Sequence, residues 1–203
     1  MLSDFDIQIV RLDGTDRKTL TNSDQWDIDA QWSPDGEWLS FTRGGRGDLG
    51  WPNTEIWTVR RDGTDLHRIG PGSEARWSPD GTKFVFDAPT NRSQADLFVM
   101  DADGTNRRQL LATTKIEAAA GWSPDGKTIL FTRFNDNSGR DVDVFVMNAD
   151  GTKRRRLARG VAGSWSPNGT RIVYTDSFQL RIMNADGSHK RKLPSAGVRD
   201  PWR

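Results

Sequence analysis

Apolar positions along this chain keep register with two short polar markers. The first is Trp32-Ser33-Pro34-Asp35-Gly36, repeated as Trp77-Ser78-Pro79-Asp80-Gly81 and Trp122-Ser123-Pro124-Asp125-Gly126. A fourth copy, Trp165-Ser166-Pro167-Asn168-Gly169, has Asn for Asp. Seven residues after each Trp stand Leu39, Phe84, Ile129 and Ile172, and nine after it Phe41, Phe86, Phe131 and Tyr174. The second marker, Asp-Gly followed by Thr or Ser, begins at Asp13, Asp62, Asp103, Asp150 and Asp186. Three residues before it come Val10, Val59, Met100, Met147 and Met183, and seven beyond it Leu20, Ile69, Leu110, Leu157 and Leu193. The tryptophans of the first marker lie 45, 45 and 43 residues apart, the period of a four-stranded propeller blade.

Each period divides into four short strands. The first ends at the Trp, as in Glu74–Trp77 or Ala118–Trp122. Ser-Pro-Asp-Gly then predicts a tight turn, because proline presets φ at the second position and glycine accepts the positive φ that follows. The second strand (Lys127–Thr132) and the third (Val142–Met147) are β-branched and aromatic on both faces, as for strands covered by sheets on either side. Asp-Gly predicts a two-residue hairpin with positive φ at both positions. The fourth strand, Asn106–Leu111 or Lys153–Ala158, is mostly basic with one or two apolar anchors, as suits a solvent-exposed edge. Such sheets hide their apolar sides only by stacking on adjacent copies about an axis.

The reading is therefore one all-β domain over residues 1–203, a β-propeller of four-stranded antiparallel blades. Four complete repeats fall near 22–69, 70–111, 112–158 and 159–193. Residues 1–21 supply a third and fourth strand (Asp6–Val10, Arg17–Leu20), and 194–203 a first strand, Val198–Arg203, reaching Trp202. This closing blade, shared by the termini, would lack its second strand. The expectation is a ring of about five blades or a fragment of a larger one, and a fragment would tend to self-associate through unpaired edges.

Trp-Ser-Pro-Asp-Gly, Ile-Leu-Phe-Thr, Val-Phe-Val-Met-Asn-Ala-Asp-Gly-Thr and Arg-Arg-Leu together resemble the WD40-like PD40 repeat of TolB-type propellers, over essentially the whole chain. That resemblance implies a non-enzymatic scaffold that docks a protein or peptide partner on a rigid disc. It also implies a periplasmic or extracellular setting and six blades in the complete ring. The same repeat builds propellers attached to peptidases and other enzymes, so two alternatives stand. One is an accessory, substrate-gating propeller of a serine peptidase or other enzyme whose catalytic domain lies outside this chain. The other is a small-ligand, sugar or cation-binding propeller, or a lyase-like one.

Composition narrows the classes. Net charge is +1, which gives no global field for nucleic acid or an anionic membrane. No apolar run reaches the roughly 18 residues of a membrane helix, and Met1–Val10 has neither the basic segment nor the apolar core of a signal peptide. Zero cysteine removes disulfides and thiolate chemistry and leaves the cytoplasm open. Neither a cofactor nor a metal is expected.

Candidate chemistry is sparse. Ser33, Ser78, Ser123 and Ser166 recur in turns, whereas a nucleophile is needed once. Gly121–Asp125 has Asp where a nucleophile elbow requires glycine. His67 and His189 begin basic outer strands with no partner serine in this plan, so no catalytic residue is expected. Asp101–Gly104 matches part of a calcium loop but lacks its later ligands. The basic clusters Lys153–Arg156 and His189–Lys192 read as solvated edges. What remains is a set of acids just before the Trp: Asp27, Asp29, Glu74 and Glu117. If the first strand is innermost, they converge at one mouth of the axial channel, able to bind a cation, a basic peptide or an amine. Gly160 and Ala162 carry no charge at the fourth repeat's matching positions. Trp26, Trp38, Trp51 and Trp57 crowd the first repeat, and the insert Gly44–Pro52 lengthens its second loop, the kind of loop that carries recognition.

Overall fold

The Trp-marked turn is built by the residues that spell it. In the computed structural model, which describes residues 5–44, 53–91, 94–136 and 139–194, the Gly36 N–H donates to the Ser33 carbonyl at 2.9 Å with Pro34 and Asp35 between them. Gly36, Gly81, Gly126 and Gly169 take φ of 71°, 72°, 70° and 71°. Each serine hydroxyl is committed inside its turn. Ser33 Oγ donates to Asp35 Oδ1 at 2.5 Å and accepts the Trp38 N–H at 2.9 Å, and Ser78, Ser123 and Ser166 repeat both bonds. The bonds from Ser78 and Thr82 hold the Asp80 carboxyl down at about 2.

The Asp-Gly turn differs from expectation. Positive φ falls on the glycine and on the residue two beyond it (Asp16, Asp65, Asn106, Lys153, His189), not on the aspartate. The reason is the aspartate side chain: Asp103 Oδ1 accepts both the N–H and the hydroxyl of Thr105, at 2.9 and 2.6 Å. It bridges the turn instead of adopting the left-handed backbone. With Asp103 engaged this way, Asp101–Gly104 is a hairpin latch.

Four antiparallel sheets of four strands follow in chain order, behind a two-stranded sheet of β1 (Gln8–Ile9) and β2 (Lys18–Thr19). The first blade is β3 (Trp26–Trp32), β4 (Trp38–Gly44), β5 (Glu55–Arg60) and β6 (His67–Pro71). The second is β7 (Ser73–Trp77), β8 (Lys83–Asn91), β9 (Gln94–Asp101) and β10 (Arg108–Gln109). The third is β11 (Ile116–Trp122), β12 (Thr128–Phe134), β13 (Val142–Asn148) and β14 (Arg155–Arg159). The fourth is β15 (Val161–Trp165), β16 (Arg171–Asp176), β17 (Gln179–Asn184) and β18 (Arg191–Lys192). Pairing is sequential in every blade, and β3, β7, β11 and β15 lie beside one another, so the first strands are innermost. The insert 45–52 with Trp51 and the closing strand Val198–Arg203 lie outside the described residues.

No blade owns a core. Each buried cluster draws on two successive sheets: Ile56 with Phe84, Phe86 and Met100; Val85 and Leu97 with Ile129 and Phe131; Leu130 and Val146 with Ile172 and Tyr174. Ile7 and Leu20 of the two-stranded sheet close over Leu39, Phe41 and Val59 of the first blade. Polar contacts repeat at the same joints. Trp77 Nε1 donates to the Gln31 carbonyl at 3.3 Å and Trp122 Nε1 to the Arg76 carbonyl at 3.1 Å, so each indole is pinned to the residue preceding the previous blade's Trp. Trp165 Nε1, at the next joint, is buried without an acceptor among the described residues. Thr42 Oγ1 accepts the Glu74 N–H at 3.0 Å, and Thr132 Oγ1 the Ala162 N–H at 2.9 Å.

Gly160 turns the chain from the third blade into the fourth at φ 129°, and a Cβ there would lie 2.2 Å from the Thr175 carbonyl oxygen. Gly160→Ala is therefore expected to cost about 2–4 kcal/mol, from the left-handed backbone together with a clash against main chain. Urea unfolding would show it as a lowered midpoint at unchanged slope.

Candidate functional site

Strand polarity sorts the loops onto two faces. The Trp-marked turns and the Asp-Gly turns share one face, while the connections between second and third strands share the other with the starts of the first strands. The four candidate acids lie toward the second face.

Asp27 and Glu117 begin the first strands of the first and third blades, and both are buried. Arg43 donates to Asp27 through Nε and Nη2 at 2.6 and 2.7 Å, its guanidinium 4.4 Å from the Trp57 ring centroid. Glu117 repeats the arrangement: Arg133 Nε donates at 2.9 Å, with its guanidinium 4.7 Å from the Phe145 ring centroid. Thr113 Oγ1 adds a bond to Glu117 at 2.8 Å. Burial and a hydrogen bond to the Asp96 carboxyl push Glu117 upward, against Thr113 and Arg133. Both carboxylates are thus held inside their own blades by stacked arginines.

Asp29 and Glu74 are the pair the fold brings together. Each sits in a β-bulge of a first strand, with φ of 56° and 53°. A left-handed backbone costs a residue with a Cβ about 1–2 kcal/mol, and bulges re-aim side chains at functional rims. Arg76 spans the joint, donating to Asp29 Oδ2 at 2.6 Å and lying 3.7 Å from Glu74 Oε2. Burial holds the Glu74 carboxyl above its ordinary value, opposed by Arg76 and reinforced by Asp29. Behind them lies Asp87, almost wholly buried, accepting from Ser73 Oγ at 2.9 Å and from the Ala119 N–H. Its Oδ1 has no hydrogen-bond partner among the described residues. Desolvation, with Glu74 nearby, pushes Asp87 up to about 8. The four acids therefore do not form one ring: two are internal struts, and two flank a shared arginine at the inner rim.

Several further participants stand at fixed offsets from the two markers. Arg43 and Arg133 share an offset of eleven from the Trp, and Thr42, Asp87, Thr132 and Thr175 an offset of ten. An acid also stands seven residues before the Asp-Gly aspartate in four copies: Asp6, Glu55, Asp96 and Asp143. Arg68 pairs with Glu55 and Arg156 with Asp143, each at 2.6 Å. Those offsets were legible signals. Among the described residues no three His, Cys, Asp or Glu side chains converge as metal ligands, and no helix is long and apolar enough to cross a membrane.

Stacked four-stranded antiparallel sheets with innermost first strands define a β-propeller. The pattern of the family described as TolB beta propeller domain, PD40, matches residues 3–202, and the chain belongs to that family. It is 31% identical over 118 residues to the Tol-Pal system protein TolB of Anaeromyxobacter dehalogenans, covering 55% of this chain and 27% of that protein. It is 39% identical over 114 residues to dipeptidyl-peptidase 5 of Porphyromonas gingivalis, covering 53% of this chain and 17% of that protein. The chain thus spans about a quarter or less of the length of these two relatives. Among solved structures, an oligogalacturonate lyase in complex with manganese superposes with a TM-score of 0.68 at 16% identity, over 93% of this chain and 59% of that one. That likeness concerns the fold.

Proposed function

We propose that this chain is a non-enzymatic protein-interaction propeller that docks a protein or peptide on the face carrying the second-to-third-strand connections. One observation carries the reading: the two faces are built to different rules. On one face the Trp-marked turns recur with the same internal bonds in every blade, and each Asp-Gly aspartate accepts the N–H two residues beyond it. On the other, the connections run from residues 45–54 in the first blade, through 135–141 in the third, to Ser177–Phe178 in the fourth. A rigid repeated frame with one variable rim is the arrangement that positions recognition loops. The paired charges of Asp29, Arg76 and Glu74 at the inner rim suit a polar partner better than a chemical step. Likeness to a Tol-Pal system protein supports the interaction role and a periplasmic or extracellular setting, and the near-zero net charge argues against nucleic acid.

The test is affinity capture from the native host. A variant with 45–54 and 135–141 each replaced by Asn-Gly should lose the partner that the unaltered chain retains. Lys127→Glu, on the opposite face, should keep it. Partner loss with Lys127→Glu alone would overturn the assignment. A second reading, a substrate-gating propeller beside a catalytic domain, is favoured by the 39% identity to a dipeptidyl-peptidase. It predicts that the captured partner is a hydrolase.

A further inference from the structure

One main-chain bond recurs at each joint between complete blades. The N–H three residues before a Trp donates to the side chain ten residues after the previous blade's Trp: Glu74 to Thr42, Ala119 to Asp87 and Ala162 to Thr132. Only the middle joint uses an acid there. A second departure lies at the same joint. Glu55 and Asp143 each meet an arginine thirteen residues later, Arg68 and Arg156, both at 2.6 Å. The matching acid of the second blade is Asp96, and thirteen residues later stands Gln109, whose Nε2 donates at 2.6 Å without bringing a charge. The joint between the second and third blades thus gains an acid at one position and lacks a cation at another.

Three carboxyls are buried at this joint. Asp87 and Asp96 are each 2% exposed and Glu117 is 0% exposed. Thr113, in the connection between the two blades, ties a pair of them together: its N–H donates to Asp96 at 3.3 Å and its hydroxyl to Glu117 at 2.8 Å. The Asp96 and Glu117 carboxyls also bond to each other. Among the described residues Arg133 pairs with Glu117, and neither Asp87 nor Asp96 has an ion pair. The other cations of the neighbouring strands are engaged elsewhere. Arg76 lies between Asp29 and Glu74, Arg107 lies on the Phe86 and Phe98 rings, and Lys115 donates to the Asn135 carbonyl. One guanidinium does not balance three buried carboxylates, and a buried acid without a counter-charge keeps its proton instead. The bonding points the same way. Two carboxylates are both acceptors, so a bond between them needs a proton. Asp87 Oδ1 has no partner among the described residues, which a charged carboxylate at that depth would require.

We propose that the joint between the second and third blades is a proton-operated latch. One proton on Asp87 and one shared by Asp96 and Glu117 hold it shut, and their loss lets these two blades part locally while the joints on either side stay closed. Burial is the first cause at both groups. It carries Asp87 up to about 8, with Glu74 adding to the effect. It carries Glu117 up to about 7, with Asp96 adding and with Thr113 and Arg133 opposing. An open joint returns both to water and toward their ordinary 3.8 and 4.5. The closed joint therefore binds protons that the open one releases. Closure is complete below about pH 4 and weakens as pH rises through 7 and then 8. Ser73, which donates to Asp87, adjoins Glu74, so the latch reaches the inner rim of the face assigned to recognition. That use rests on the interaction-scaffold reading, whereas the latch itself is measured without a partner.

Amide exchange of the full chain tests it, with rates corrected for their intrinsic pH dependence. The three equivalent amides serve as mutual controls. Between about pH 6 and about pH 9, Ala119 should lose protection at least about tenfold relative to Glu74 and Ala162. A variant carrying Asp87→Thr with Gln109→Arg restores the residues of the neighbouring joints, and its Ala119 protection should keep a constant ratio to that of Ala162 across the range. Either substitution alone should remove part of the loss. Carboxyl carbon shifts give the second readout: in the unaltered chain Asp87 and Glu117 should both titrate well above the ordinary carboxylate range. Protection lost equally at all three amides, a loss undiminished in the double variant, or both carboxyls ionised at about pH 5 would each overturn the latch. Should the double variant not fold, the amide ratio and the carboxyl titration of the unaltered chain still decide.

Discussion

Arg43→Ala is expected to lower the unfolding free energy by about 3–5 kcal/mol, because it leaves the Asp27 carboxylate buried without its counter-charge. Asp27 is 3% exposed and takes both of its strong bonds from this one guanidinium. The lost stacking of Arg43 on Trp57 adds to the effect. Replacing both partners (Asp27→Ala with Arg43→Ala) should cost less than Arg43→Ala alone, since no charge is then stranded. The second blade already holds Gly72 and Ala88 at these two positions, so the fold does not need the pair everywhere. Chemical denaturation of the four proteins of this cycle measures it. A double variant less stable than Arg43→Ala would show that Arg43 serves by packing instead of by charge.

The second large effect is a pH dependence centred on Asp87. Its carboxyl lies near 8 in the folded chain against an ordinary 3.8, first because burial disfavours the charge and then because Glu74 is close. The folded state therefore keeps a proton that the unfolded state releases. The stability tied to this group is complete below about pH 4 and is lost as pH rises toward 8, at about 1.4 kcal/mol per pH unit. Above 8 both states are ionised and the loss stops growing. Thr42 and Thr132 fill the same position and accept the same inter-blade N–H without a titrating group. Asp87→Thr should accordingly be more stable than the unaltered chain by about 2–5 kcal/mol at pH 9, with little difference at pH 4. Unfolding midpoints measured across that range decide it, and parallel curves for the two proteins would contradict the assignment.

Much of the architecture was legible because the repeat writes its turns in fixed residues. Pro34 and Gly36, with their copies, announced the first hairpin, and the apolar positions seven and nine residues beyond the Trp announced a strand covered on both sides. What the sequence concealed were contacts between copies. Thr42, Asp87 and Thr132 look like surface polar residues until the next blade's main chain arrives beside them. Arg43 and Arg133 lie on strands that end in loops, and nothing local shows that each reaches back to an acid sixteen residues earlier. The acids before the Trp read as one ring because spacing reports which strand a residue is on, not which way it turns. A bulge in each first strand breaks the alternation, and that is what separates the buried Asp27 and Glu117 from Asp29 and Glu74 at the rim. The Asp-Gly turn misled in the same way. A carboxylate bridging Thr105 is a local bond, but it competes with the backbone form the dipeptide usually announces.

In the proposed function a rigid, repeated frame carries one structural face and one recognition face. Amide exchange of the chain with its captured host partner tests this most directly. Protection should appear in the variable connections, at Asn53–Thr54, Gly139–Asp141 and Ser177–Phe178, and along the rim near Glu74. Protection confined to the Trp-marked turns around Gly36, Gly81, Gly126 and Gly169 would place the partner on the wrong face and contradict the account.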